Sequence, residues 1–202
     1  MYAIEPSTIL LLAVQIFAIM DPLAAIPTLL DVISSLSSEA EIKRCVNRAA
    51  LAIFILLNIF TAAGGYILML FGISMSSFKM AAGAILMATA IDTLITGHKP
   101  AKIEVGTYII VPIATPLIVG PGTMTLLITS ARLYGILNTL IAAYIAFAFT
   151  YLVLRTARGF TRLAGETFIH GLGRFMSIII ASFAIEMITS GVREYIESLG
   201  IK

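Results

Sequence analysis

The chain has 202 residues, 59% of them hydrophobic and 12% charged, with a formal net charge of +2 and one cysteine. An ordinary globular domain carries roughly a quarter charged residues, so this composition points to lipid as the solvent and leaves little sequence for a separate soluble domain. The small, scattered charge gives no nucleic-acid footprint, and a lone thiol, Cys45, excludes an internal disulfide, a CxxC redox pair and a multi-thiolate metal site.

Apolar runs of about 20 residues read as membrane spans. There are six, at about Thr8 to Leu30, Val46 to Phe71, Phe78 to Gly97, Val105 to Thr129, Tyr134 to Thr156 and Leu172 to Val192. The first has no basic n-region and no small-residue cleavage pattern, so it is read as a structural helix rather than a signal peptide. Within it, "DPLAAIPTLL" (Asp21 to Leu30) sets a carboxylate beside two prolines, Pro22 and Pro27. Proline lacks the amide hydrogen and clashes with the carbonyl four residues back, costing about 3 kcal/mol in a helix interior. With two of them this close, the span is expected to break.

Between spans one and two, "SSEAEIKRCVNR" (Ser37 to Arg48) runs from acidic to basic residues, which suits the dipole of a short cytoplasmic helix. Span three carries Ala81, Ala82, Gly83, Ala84 and Ala88; Ala84 and Ala88, four apart, predict a face for close helix packing. Span four repeats the proline pair in "TPLIVGP" (Thr115 to Pro121), with Gly120 and Gly122 flanking Pro121. Asp92 and Glu186 each stand five residues before a glycine expected to end a span, Gly97 and Gly191. Intramembrane carboxylates are functional candidates, and these two are candidates for ion coupling or for bracing the two halves.

His98 and His170 lie at span ends. No GxSxG elbow, P-loop, dinucleotide fingerprint or zinc motif occurs, so no enzyme is expected, and no resident cofactor or metal.

The two proline pairs coincide at one offset: Pro22 and Pro116, like Pro27 and Pro121, stand 94 residues apart. The same spacing sets Ala90-Ile91-Asp92 on Ala184-Ile185-Glu186, Gly97 on Gly191 and Gly65 on Gly159. Each copy holds three spans, an odd number, so the second must enter the membrane from the opposite side. The predicted fold is all-α and integral to the membrane: six transmembrane helices in two inverted three-helix repeats, residues 1–97 and 98–202, with spans one and four broken at Pro-x4-Pro. Transporters of this construction hold substrate near the midplane, between broken helices.

Of the thirteen lysines and arginines, nine fall on one side (Lys43, Arg44, Arg48, Lys99, Lys102, Arg155, Arg158, Arg162, Arg174) and four on the other (Lys79, Arg132, Arg193, Lys202). The positive-inside rule makes the first side cytoplasmic, with both termini outside.

The candidate binding residues surround the breaks. Ala24, Ala25, Gly120 and Gly122 would leave backbone near a ligand and little room for a side chain. Amides around Gly122 and Thr123, at the start of a half-helix, suit a carboxylate, with Thr125 as a hydroxyl donor; Asp21 suits an ammonium group or a coupled proton. Asp21 with Pro22, and Thr115 with Pro116, also read as an N-cap followed by proline at the first helical position, and the residues alone leave both readings open.

The chain resembles the MarC family of six-span membrane proteins. The resemblance rests on "DPLAAIPTLL", "FGIS" (Phe71 to Ser74), "FKMAAGAILMATAID" and "PLIVGPGTMT" (Pro116 to Thr125), with Ala24-Ala25 standing where the family often has Gly-Asn. The inverted-repeat architecture argues for a secondary transporter working by alternating access, and the resemblance implies small neutral amino acids, such as glycine and alanine, as its substrates; with no nucleotide-binding module, the expected coupling ion is a proton or a sodium ion. The alternatives are a passive channel, an exporter of another small solute, or a structural membrane subunit.

Overall fold

The computed structural model describes residues 5–34, 36, 38–96 and 118–200. The chain opens with α1 (Pro6–Met20), broken at Asp21 to Ala25 and continued as α2 (Ile26–Ser34). Next come α3 (Glu39–Leu70), α4 (Met75–Thr96), α5 (Pro121–Tyr134), α6 (Ile136–Ala164) and α7 (Glu166–Ser198). There is no strand among the described residues.

Four helices, α3, α4, α6 and α7, are long and apolar enough to cross a membrane, while α1 is a shorter apolar helix. At 1.5 Å per residue, the 15 residues of α1 reach about 22 Å and the 14 of α5 about 21 Å, each short of a hydrocarbon core of about 30 Å. The short helices adjoin the two proline motifs, as the sequence predicts.

Several helices outrun their expected spans. The helix expected to lead into span two is continuous with it: Glu39 to Arg48, the described helical part of that stretch, is the opening of α3. No proline or glycine interrupts it, and Ser38 and Glu41 form a capping box: Glu41 N–H donates to Ser38 Oγ at 3.2 Å, and Ser38 N–H to Glu41 Oε2 at 3.2 Å. These reciprocal bonds satisfy two amides that a helix start leaves free. Likewise α7 runs through Gly191 to Ser198, so that glycine lies inside the helix and Glu186 is a mid-helix residue. Gly135 and Gly165, at φ 87° and 82°, separate α5, α6 and α7, a conformation open to glycine because it has no Cβ.

The pair α4 and α7 makes the most extensive contact, and it is antiparallel. A Cβ at Gly83 would meet Ala184 O and Ile188 Cγ1 at 2.7 Å, and one at Gly191 would meet Ser76 O and Met80 Cγ at 2.8 Å. The glycines let the backbones approach where apolar side chains have no hydrophobic reason to associate. The expected packing face at Ala84 and Ala88 is corrected: both are exposed, while Ala82, Gly83 and Ala90 are buried. Of the remaining contacts, α1 packs on α6, α5 on α3, and α3 on α6.

Exposure is inverted relative to a water-soluble protein. Leu10, Leu11 and Val14 on α1 and Met69 and Leu70 on α3 are open to the surroundings. Among the most deeply buried large apolar side chains, Ile16, Met20, Ile26, Leu29, Ile118 and Val119 lie at or near the two breaks, while Ile53 and Leu57 lie within α3 and Leu127 within α5.

Candidate functional site

The first break begins with Asp21. Its backbone takes the left-handed conformation (φ 40°, ψ 60°), and its N–H closes α1 by donating to Phe17 O at 3.1 Å. A residue before proline is disfavoured in the right-handed helical region, and aspartate is among the few non-glycine residues that visit the left-handed one. Asp21 Oδ1 then accepts a bond from Ala24 N–H at 3.2 Å, capping the turn that Pro22 starts. Because Pro27 has no N–H to give, Leu23 O is served by Ile26 N–H instead, at 3.2 Å, and α2 opens with Pro27 in its first turn. Aspartate between two prolines is thus a device for ending one helix and starting another.

Asp21 is 6% exposed, and its second oxygen, Oδ2, is buried without a hydrogen-bond partner among the described residues. A buried polar atom left unpaired is costly, which separates this oxygen from an ordinary cap. Ala24 and Ala25 are buried beside it. On the other side α6 supports the break: Thr150 Oγ1 donates to Met20 Sδ at 3.9 Å, and the Phe17 and Phe149 rings meet edge to face at 6.3 Å.

The second break is described from Ile118 onward; Thr115 and Pro116 lie outside the described residues. Pro121 is the first residue of α5, with Gly120 as N-cap and no side chain capping the end. Gly122 is hemmed in, since a Cβ there would meet Leu86 Cδ1 at 2.9 Å and Ile19 Cγ2 at 3.1 Å. The start of α5 therefore touches α1 two residues before Asp21, and touches α4. Thr123 and Thr125 are each 1% exposed, and their hydroxyls are already engaged: Thr123 Oγ1 donates to Ile118 O at 3.0 Å and Thr125 Oγ1 to Pro121 O at 2.8 Å.

Asp92 and Glu186 are apart from this cluster, both exposed on the outer surfaces of α4 and α7. The sequence reading missed a third ionic site. Lys79, taken there as a flanking charge, is 7% exposed; its ammonium pairs with Glu194 and lies 3.2 Å from Ser190 Oγ. The available signal was spacing, since Ser190 and Glu194 are four apart on α7 and share a face. A groove of about 830 Å³ runs along the end of α7 at Ile188, Val192 and Ile196, and none of its lining residues belongs to a break.

Four helices long and apolar enough to cross a membrane, with large apolar side chains open to the surroundings, define an integral membrane protein. The chain belongs to the MarC family, described as MarC family integral membrane protein, which matches residues 7–196. It is 30% identical over 192 residues to a UPF0056 membrane protein of Methanocaldococcus jannaschii, covering 89% of this chain and 93% of that one. It is 31% identical to a UPF0056 membrane protein of Buchnera aphidicola, covering 92% of each. It is 30% identical to the UPF0056 membrane protein YhcE of Escherichia coli, covering 89% of each. No solved structure matches.

Proposed function

We propose that this protein is a secondary transporter that moves small neutral amino acids, glycine and alanine foremost, across the cell membrane by alternating access. The observation that carries the reading is the burial of both helix breaks together in the core, where interrupted backbone at membrane depth is tolerated only against protein or a wet cavity. The amino acid itself comes from the family resemblance, and the small residues Ala24, Ala25, Gly120 and Gly122 suit a ligand with little or no side chain.

In this reading the two ends of a zwitterion meet unlike partners. The ammonium group goes to the unpaired Oδ2 of Asp21. The carboxylate goes to the amides of Gly122 and Thr123 at the uncapped start of α5, where the helix dipole favours an anion. Thr123 and Thr125, their hydroxyl protons held by backbone carbonyls, hold the break in shape. Asp21 is also the residue placed to carry a coupled proton or sodium ion.

The six-span arrangement in two inverted repeats is part of the proposal. The constant offset of 94 residues supports it, and so does the way the helices pair. Span three meets span six (α4 with α7), span two meets span five (α3 with α6), and the contact of α1 with α6 is answered by that of α5 with α3. The balance of basic residues puts the start of α3 on the cytoplasmic side and both termini outside.

The test is a thermal-stability screen of the purified protein against the common amino acids, because a ligand that binds only the folded state raises its stability by mass action. Glycine and alanine are expected to raise Tm, and leucine, phenylalanine and the charged amino acids are not. No shift with any small neutral amino acid would refute the assignment.

A further inference from the structure

The seam between α3 and α6 is polar and aromatic although it lies open to lipid. Tyr144 OH donates to Asn58 Oδ1 at 2.7 Å, and Tyr151 OH to Asn47 Oδ1 at 2.9 Å, which makes the two helices antiparallel. Between these bonds the Phe54 ring stacks on Tyr144 at 5.4 Å and meets Phe147 at 5.5 Å. Asn47, Phe54 and Asn58 form one stripe on α3, and Tyr144, Phe147 and Tyr151 one on α6, because residues three, four or seven apart share a helix face.

Continued by the same steps past the bond between Asn47 and Tyr151, both stripes run into arginines. Arg44 lies three residues before Asn47, and Arg48, four after Arg44, stands next to Asn47 on the flank of the stripe; Arg155 and Arg158 lie four and seven residues after Tyr151. All four are exposed. Arg155 is anchored by Nη1 donating to Tyr151 OH at 3.4 Å, with its guanidinium carbon 6.0 Å over the Tyr151 ring. The ion pair found among the described residues is Lys79 with Glu194, and it involves none of these arginines. Acidic residues toward this end are Glu39 and Glu41 in the first turn of α3, Asp31 near the end of α2 and Glu166 at the start of α7, and Glu41 accepts a bond from Ser38 N–H. Beside the seam, exposed Leu51, Phe54 and Leu152 stand next to these arginines.

We propose that this end of the seam between α3 and α6 is a binding site for an anionic phospholipid, with its phosphodiester between the guanidinium groups of Arg44, Arg48, Arg155 and Arg158 and its acyl chains along Leu51, Phe54 and Leu152. Guanidinium forks match phosphate oxygens in pairs, and basic pockets between transmembrane helices hold anionic head groups. Membrane orientation needs only that positive charge be on one side; it does not require the charge to be gathered from two helices beside one seam, next to Tyr151. The site is independent of what the protein transports.

The test uses the full-length protein purified in mild detergent, with Tm read after addition of phosphatidylglycerol, phosphatidylcholine or inorganic phosphate. Phosphatidylglycerol is expected to raise Tm, and the other two are not. In the variant Arg44→Gln/Arg48→Gln/Arg155→Gln/Arg158→Gln the shift should fall by more than half, while Arg193→Gln, on α7, should keep it. An equal shift with phosphatidylcholine, an equal shift with free phosphate, or a full shift in the fourfold variant would overturn the proposal. Should that variant fail to fold, native mass spectrometry of the parent decides: retained phosphatidylglycerol supports the site, and its absence refutes it.

Discussion

Lys79 on α4 and Glu194 on α7, 115 residues apart in sequence, join the two helices by an ion pair, and the lysine is almost wholly buried. Ser190, one turn before Glu194, is the second oxygen within reach of the same ammonium group. The position 94 residues after Lys79 is Gly173, so a repeat of this offset brings no second lysine to the other end of the pair.

The consequence is a one-sided dependence on charge. Glu194→Gln leaves a buried ammonium without its counterion and should destabilise the protein by about 1–3 kcal/mol, between the ranges for exposed and buried pairs. The double change Lys79→Met/Glu194→Leu removes the charge together with its partner and should cost less than the single change. Thermal unfolding of the variants checks this, and a single variant as stable as the parent would show that the pair contributes nothing.

Glycine positions along the helices should fall into two groups. At Gly83 a Cβ meets backbone of α7 at 2.7 Å, so Gly83→Ala must push the helices apart and should cost about 1–3 kcal/mol. At Gly65 nothing lies within 4 Å, so Gly65→Ala should be neutral or stabilise by up to about 1 kcal/mol through helix propensity. Thermal unfolding of the two variants in the same detergent measures the contrast.

What was legible in the sequence was local. Proline pairs break helices whatever surrounds them, and apolar length identifies α3, α4, α6 and α7. What was not legible depends on the rotation of one helix against another. Ala84 and Ala88 fit a packing motif as well as Gly83 does, but α4 turns Gly83 inward and leaves both alanines exposed. Gly191 reads as a helix end because glycine commonly stands there; inside α7 it serves close approach to Ser76 and Met80. The capping role of Asp21 was visible from Pro22, whereas its unpaired oxygen depends on what packs around the break.

Asp21→Asn separates the cap from the charge. Asparagine tolerates the left-handed conformation and accepts the Ala24 N–H bond about as well, so the variant should unfold near the parent temperature. Loss of the charged contact to an ammonium group should weaken glycine binding by roughly 10- to 100-fold. Calorimetric titration of glycine into parent and variant reads this directly, and equal affinity would reduce Asp21 to a cap.

Cys45 is a poor reporter of topology, because it is 7% exposed and packs in the core. In intact cells and in inverted vesicles alike, a membrane-impermeant thiol reagent should leave it unlabelled. In a Cys45→Ser background, Arg158→Cys lies on an exposed surface of α6 and should be labelled in inverted vesicles only. Labelling in intact cells would reverse the assigned orientation.

The central claim, that the paired breaks form the path of a small neutral amino acid, is tested most directly by counterflow. Proteoliposomes loaded with unlabelled glycine should accumulate radiolabelled glycine transiently above equilibrium, and loading with alanine should serve as well. Pro22→Ala/Pro27→Ala and Pro116→Ala/Pro121→Ala should insert normally, since insertion follows hydrophobicity, and should lose counterflow because the interrupted backbone is gone. Full counterflow in either double variant, or no counterflow of any small neutral amino acid by the parent, would contradict the account.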